Sequence, residues 1–111
     1  MAIQISHPFM SVVLEALRRG IKFTDHAFQV MYSAERMITV DEVVEAVCDG
    51  DIIEDYPDDP RGHSCLILGF TRQRRPIHIV CAPKDEFLVI VTAYEPTLNK
   101  WAPNFRVRRK T

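Results

Sequence analysis

The chain has 111 residues, nearly half of them hydrophobic, and a formal net charge of −1. That size fits a single domain over residues 1–111, with an apolar core that needs no disulfide staple. No apolar run approaches membrane-spanning length, so no membrane partner is expected.

Ser6 can cap a first helix with Pro8 in its opening turn. Phe9, Val12, Val13, Ala16 and Leu17 follow helical spacing, and Gly20 is a natural stop. Ile21 to Phe23 reads as a short extended link. Thr24 or Asp25 caps a second helix, with His26 in its first turn and Ala27, Phe28, Val30, Met31 and Ala34 as its apolar face. Thr39 followed by Glu42 is a capping box, and Ile38 with Val43 can form the accompanying staple. Val40, Val43, Val44 and Val47 should face inward, and Gly50 ends this third helix.

After Gly50 the pattern changes to strands. Ile52 to Tyr56 is short and alternates poorly, and Pro57 to Gly62 is a loop by its turn residues. Cys65 to Thr71, Pro76 to Ala82 and Phe87 to Tyr94 are apolar, β-branched runs with short connections, suited to antiparallel neighbours. Helices first and a sheet meander after them predict an α+β fold, with N-terminal helices on one face of about four antiparallel strands. Alternation puts His78 with Val80 and Ala82, opposite Ile77, Ile79 and Cys81. It likewise groups Leu88, Ile90, Thr92 and Tyr94 opposite Val89, Val91 and Ala93. The expected core is Phe9, Val13, Leu17, Phe28, Met31, Val43, Val47, Leu66, Leu68, Ile79, Val89 and Val91.

Residues 1–60 carry twelve acids against four bases, whereas residues 61–111 carry ten bases against three acids. Such halves can form two faces, one of which meets a polyanion, or they can offset each other for solubility. The three cysteines, Cys48, Cys65 and Cys81, include no C-x-x-C pair. They read as buried free thiols in a reducing cytosol, and no signal peptide precedes them. The histidines make no paired-ligand spacing with a cysteine, and no nucleotide-binding glycine loop is present, so neither metal nor cofactor is expected.

A histidine inside an apolar strand, His78, has two readings: a core residue bonded to a carbonyl, or a proton-transfer group. Tyr94, at the end of the last strand, is a packing residue or a site hydroxyl. His26, near a helix N-terminus, is a turn residue or a neutral general base. Arg106, between Phe105 and Val107, can pack its stem while its guanidinium reaches a phosphate. Arg108, Arg109 and Lys110 read as a solvated tail.

The order of motifs also resembles a known family. Thr24-Asp-His-Ala, Met31, Ile38-Thr39 opening a helix and Gly50 to Tyr56 form its first half. Cys65 to Gly69, Pro76 to Val80, Thr92 to Pro96, Trp101 and Phe105-Arg-x-Arg-Arg form its second. This is similar to a family of small, mostly prokaryotic domains of uncharacterised function, often encoded beside YgiT-type zinc-finger antitoxins. The family looks related to the barnase–EndoU–colicin–RelE group of RNase folds. The resemblance spans about residues 20–109, and it implies an RNA-cleaving toxin that needs no metal, or an inactive descendant of one. Its site residues map to His26, His78, Tyr94 and Arg106, with Arg36, Arg108 and Arg109 as phosphate ligands. Val30 stands where the family usually carries an arginine, which removes one positive group. RNA and an antitoxin protein are the implied partners. A non-catalytic RNA- or antitoxin-binding module, or a self-associating interaction protein, are the alternatives. RNA would meet the sheet face and the tail, because residues 41–60 hold nine acids and no base.

Overall fold

Capping explains where two of the three helices begin. The computed structural model describes residues 7–110, so the expected cap at Ser6 lies outside the described residues. Helix α1 (Phe9–Arg19) follows Pro8, which supplies no side-chain cap. Helix α2 (Asp25–Ser33) starts at Thr24, whose hydroxyl accepts the Ala27 amide at 3.0 Å. Helix α3 (Val40–Asp49) opens with the expected reciprocal capping box between Thr39 and Glu42, and Ile38 and Val43 are both fully buried. Val40 is exposed and Val44 only half-buried, so the valine face is narrower than the sequence suggests.

The fold is α+β, with three helices against a five-stranded mixed sheet in the order β1-β5-β4-β3-β2. The strands are β1 (Ile21–Phe23), β2 (Asp51–Tyr56), β3 (Ser64–Phe70), β4 (Pro76–Pro83) and β5 (Leu88–Tyr94). Strands β2 to β5 form the expected antiparallel meander. The segment read as a link, Ile21 to Phe23, is instead a fifth strand parallel to β5. Three residues are too few to show a strand pattern, and parallel pairing reaches across most of the chain.

Helix residues Met10, Val13, Ala16, Ala27, Met31, Val43, Ala46 and Val47 pack into one core with Cys65, Ile67, Ile77, Ile79, Cys81, Leu88, Ile90 and Ala93. Helix α3 lies so close to β3 that a Cβ built on Gly69 would meet the Ala46 carbonyl oxygen at 1.7 Å. Only glycine permits that approach.

The expected grouping on β5 is corrected by a bulge. Val80 pairs with Thr92, but Cys81 pairs with Ile90, so Val91 is an extra residue. Leu88 and Ile90 therefore join the helix side, and Thr92 and Tyr94 face the other way. Val89 and Val91 are half-buried and outside the core. Thr24 supplies the physical reason: its amide donates to the Ile90 carbonyl at 3.1 Å and its hydroxyl to the Val91 carbonyl at 3.0 Å. The unpaired backbone of the bulge is thus satisfied from the start of α2. Leu66, Leu68, His78 and Trp101 are buried on the opposite face of the sheet, away from the helix core. Cys65 and Cys81 are buried free thiols, whereas Cys48 is exposed.

Candidate functional site on the outer face of the sheet

Because of the bulge, His78 and Tyr94 stand directly opposite each other on β4 and β5. Residues after Tyr94 fold back over them. The Lys100 and Trp101 amides donate to the Thr97 carbonyl at 3.2 and 3.0 Å, closing a turn. A small hairpin follows, in which Trp101 pairs with Arg108, the Ala102 amide donates to the Val107 carbonyl and the Arg109 amide to the Lys100 carbonyl. Phe105 turns this hairpin with a positive φ of 60°, and its carbonyl oxygen lies 2.8 Å from His78 Nε2.

That contact fixes the histidine tautomer. A carbonyl only accepts, so Nε2 carries the proton and Nδ1 keeps its lone pair. Nδ1 then accepts from the Tyr94 hydroxyl, 3.2 Å away. The ring is fully buried, and burial drives its pKa below the ordinary histidine value. Burial likewise raises the Tyr94 hydroxyl above its usual value. Of the two readings of His78, its environment matches the carbonyl-bonded core residue, with the addition of the tyrosine. Both ring nitrogens are occupied, so a ligand reaches Tyr94 before it reaches His78.

The network continues outward. Trp101 meets the His78 ring edge-on at 4.4 Å, and the Arg108 guanidinium covers the tryptophan at 4.7 Å. Arg108 donates twice to Glu54, at 2.8 Å from Nε and 3.0 Å from Nη2. Tyr56 donates its hydroxyl to the same carboxylate. The Arg108 bond is the main cause holding Glu54 below its usual carboxylate range. Burial, followed by the Glu54 contact, pushes the Tyr56 hydroxyl up to about 12. A cleft of about 460 Å³ opens over this network, lined by Tyr94, Glu95, Thr97, Lys100, Trp101 and Arg108. Lys100 makes no side-chain ion pair among the described residues.

The other residues singled out by the sequence lie outside this cleft. Arg106 pairs with Asp51 at 2.7 Å. Arg109 donates to the Leu98 and Trp101 carbonyls and braces the hairpin. His26 is exposed in the first turn of α2, on the helical side of the sheet. Arg36 is exposed, and its carbonyl accepts from Arg75. The tail is therefore not a free solvated segment: Arg106 and Arg108 meet Asp51 and Glu54 of the acidic half. The two charged halves offset each other at this seam, because the hairpin lies against β2.

Arg75 is the residue that the sequence did not reveal. It is buried, and its guanidinium holds Glu95 at 3.0 Å, both oxygens of Glu42 at 3.1 Å and the Met37 carbonyl at 3.0 Å. Burial pulls the Glu42 carboxyl up, but the Thr39 amide and Arg75 outweigh it and hold it below its usual range. Arg75 thereby fixes Glu95 at the cleft rim. No local pattern separates Arg75 from its exposed neighbours Arg72 and Arg74. Among the described residues, no group of three or more side chains is placed to hold a metal ion, and no helix is long and apolar enough to cross a membrane.

Residues 23–95 match the family described as "Domain of unknown function (DUF4258)". That is well over half of the chain, and the protein belongs to this family. Neither the curated proteins nor the solved structures contain a match. The family segment includes His26, His78, Tyr94 and Glu95. The hairpin with Lys100, Trp101 and Arg108 follows it.

Proposed function

We propose that the outer-face cleft binds RNA and cleaves it by side-chain acid–base chemistry, as an endoribonuclease of the toxin type. The observation that carries this reading is the Tyr94 hydroxyl on His78 Nδ1 at the wall of a cleft that also holds Lys100. In this reading the ribose 2′-hydroxyl gives its proton to the Tyr94 oxygen as the tyrosine's own proton moves to Nδ1. The 2′-oxygen bonds to phosphorus, the bond to the 5′-oxygen breaks, and that oxygen takes a proton from a water molecule, whose hydroxide recovers the proton held at Nδ1 through the Tyr94 hydroxyl. The Lys100 ammonium stabilises the charge that develops on the phosphoryl oxygens. His78 orients Tyr94 and stores its proton. Arg106, paired with Asp51, and Arg36, beside Asp41 and Glu42, lie outside the cleft, and His26 has no part in the step. An antitoxin protein would hold such an activity in check, so expression of the chain alone should arrest growth.

The test is incubation of the pure protein with total RNA in the presence of EDTA, followed by analysis of the fragment ends. Fragments ending in 2′,3′-cyclic phosphate are expected, and RNA left intact contradicts cleavage. Binding without cleavage is the second reading. It is favoured by the burial of His78, which opposes a charged imidazole, and by Val30 in place of an arginine. Salt-dependent RNA affinity with intact RNA would select it.

A further inference from the structure

Arg108 does not have the setting of a phosphate ligand. Its charge is matched by Glu54 in a two-bond contact, and the Tyr56 hydroxyl donates to the Oε1 that also accepts from Arg108 Nη2. What this arrangement fixes is a plane. Its guanidinium carbon lies over the ring of Trp101, which is only 2 % exposed. The Arg108 side chain itself is 61 % exposed and lines the cleft. The tryptophan is therefore sealed off from any ligand by the sheet beneath it and the arginine above it. The exposed, carboxylate-clamped guanidinium is the surface presented in its place.

We propose that Arg108 is a stacking platform for one unpaired nucleobase, while Lys100 takes the adjoining phosphate, so that the cleft selects single-stranded RNA. This rests on the reading of the cleft as an RNA site and adds which chemistry each cation supplies.

Three physical points support the division. Guanidinium planes stack on π faces, and bases splayed out of single strands are recognised on them. A planar cation already seated on an aromatic ring and clamped by a carboxylate loses little further freedom when a base lands on it. The fixed plane spares the ordering cost that a free arginine would carry. Lys100 has no ion-pair partner among the described residues, so its charge is available for counter-ion release. The cleft volume of about 460 Å³ suits a small ligand of nucleotide size. Bases inside a duplex keep both faces stacked on their neighbours and cannot use the platform.

The test compares a labelled oligouridylate with its abasic counterpart, which has the same sugar–phosphate chain without bases. Anisotropy titrations across a salt series are run for the parent protein and for Arg108→Lys and Lys100→Ala. The parent should bind the base-bearing strand about 5- to 150-fold more tightly than the abasic one, the range for one base stacked on an aromatic side chain. Arg108→Lys keeps the charge but loses the plane, and should bring the two affinities together with the salt slope unchanged. Lys100→Ala should weaken both strands alike and reduce the slope by about 0.7. Equal parent affinity for the two strands overturns the platform and leaves an RNA-binding cleft standing. Failure of both strands to bind overturns the cleft's reading together with the platform.

Discussion

The two faces of one sheet are covered in opposite ways. The helical face meets three amphipathic helices and forms a core of apolar side chains with the cysteines. The outer face is covered by a hairpin of about ten residues that brings one tryptophan and several arginines, and it buries a histidine. A dry apolar layer stabilises without selecting a ligand. A layer with a buried imidazole, two perturbed tyrosines and a clamped guanidinium forgoes some of that gain and acquires polar groups of fixed position. The difference separates what holds this fold from what can act in it, and both roles share strands β3, β4 and β5.

Removing the outer cover should have the largest effect on stability. Trp101→Ala should cost about 3–5 kcal/mol, the range for truncating a buried large aromatic, measured by denaturant unfolding. A loss under about 1 kcal/mol would mean that the hairpin contributes little to the fold. On the helical face, Gly69→Ala should cost about 1–3 kcal/mol, because the new methyl must displace the α3 backbone at Ala46. A neutral result would show that α3 can slide on β3.

The two faces should also differ in acid. His78 has its folded pKa depressed by burial, so its contribution is fully present above the unfolded value of 6.5 and is lost as pH falls below that toward the folded value. Glu54, depressed chiefly by Arg108, contributes fully above 4.5 and loses its share below it. Trp101 is the one tryptophan in the chain and touches His78, so its fluorescence should report the first window directly. His78→Gln should flatten the stability profile between pH 6.5 and 4.5, and an unchanged profile would assign the effect elsewhere. The smallest change is expected at Arg106→Ala. Its ion pair with Asp51 is about half exposed on both sides, so stability should shift by less than about 1 kcal/mol.

The sequence made the helical face more legible than the outer one. Thr39 and Glu42, three residues apart, predict the start of α3, and that box forms as expected. His78 and Tyr94 were singled out by their place in apolar strands, and they meet. Their meeting depends on the bulge at Val91, and the bulge depends on Thr24, a residue 67 positions away. No local alternation contains that information. The parallel strand Ile21 to Phe23 was illegible for the same reason. Arg106 and Arg108 look alike in sequence, yet Arg106 sits in the bend of the hairpin and pairs with Asp51, whereas Arg108 stands opposite Trp101 and covers it. Arg75 shares its type and neighbourhood with Arg72 and Arg74, and only its tertiary partners distinguish it.

The most direct test of the claim that the outer face carries the chemistry is the single-turnover cleavage rate of an RNA oligomer by the parent protein, Tyr94→Phe and His26→Ala. Loss of a group that transfers a proton should lower the rate about 10²- to 10⁴-fold in Tyr94→Phe. The protein should remain folded, since only one hydroxyl is removed. His26→Ala, altered on the helical side, should cleave at the parent rate. Cleavage by Tyr94→Phe at the parent rate, or loss of activity in His26→Ala alone, would contradict the account.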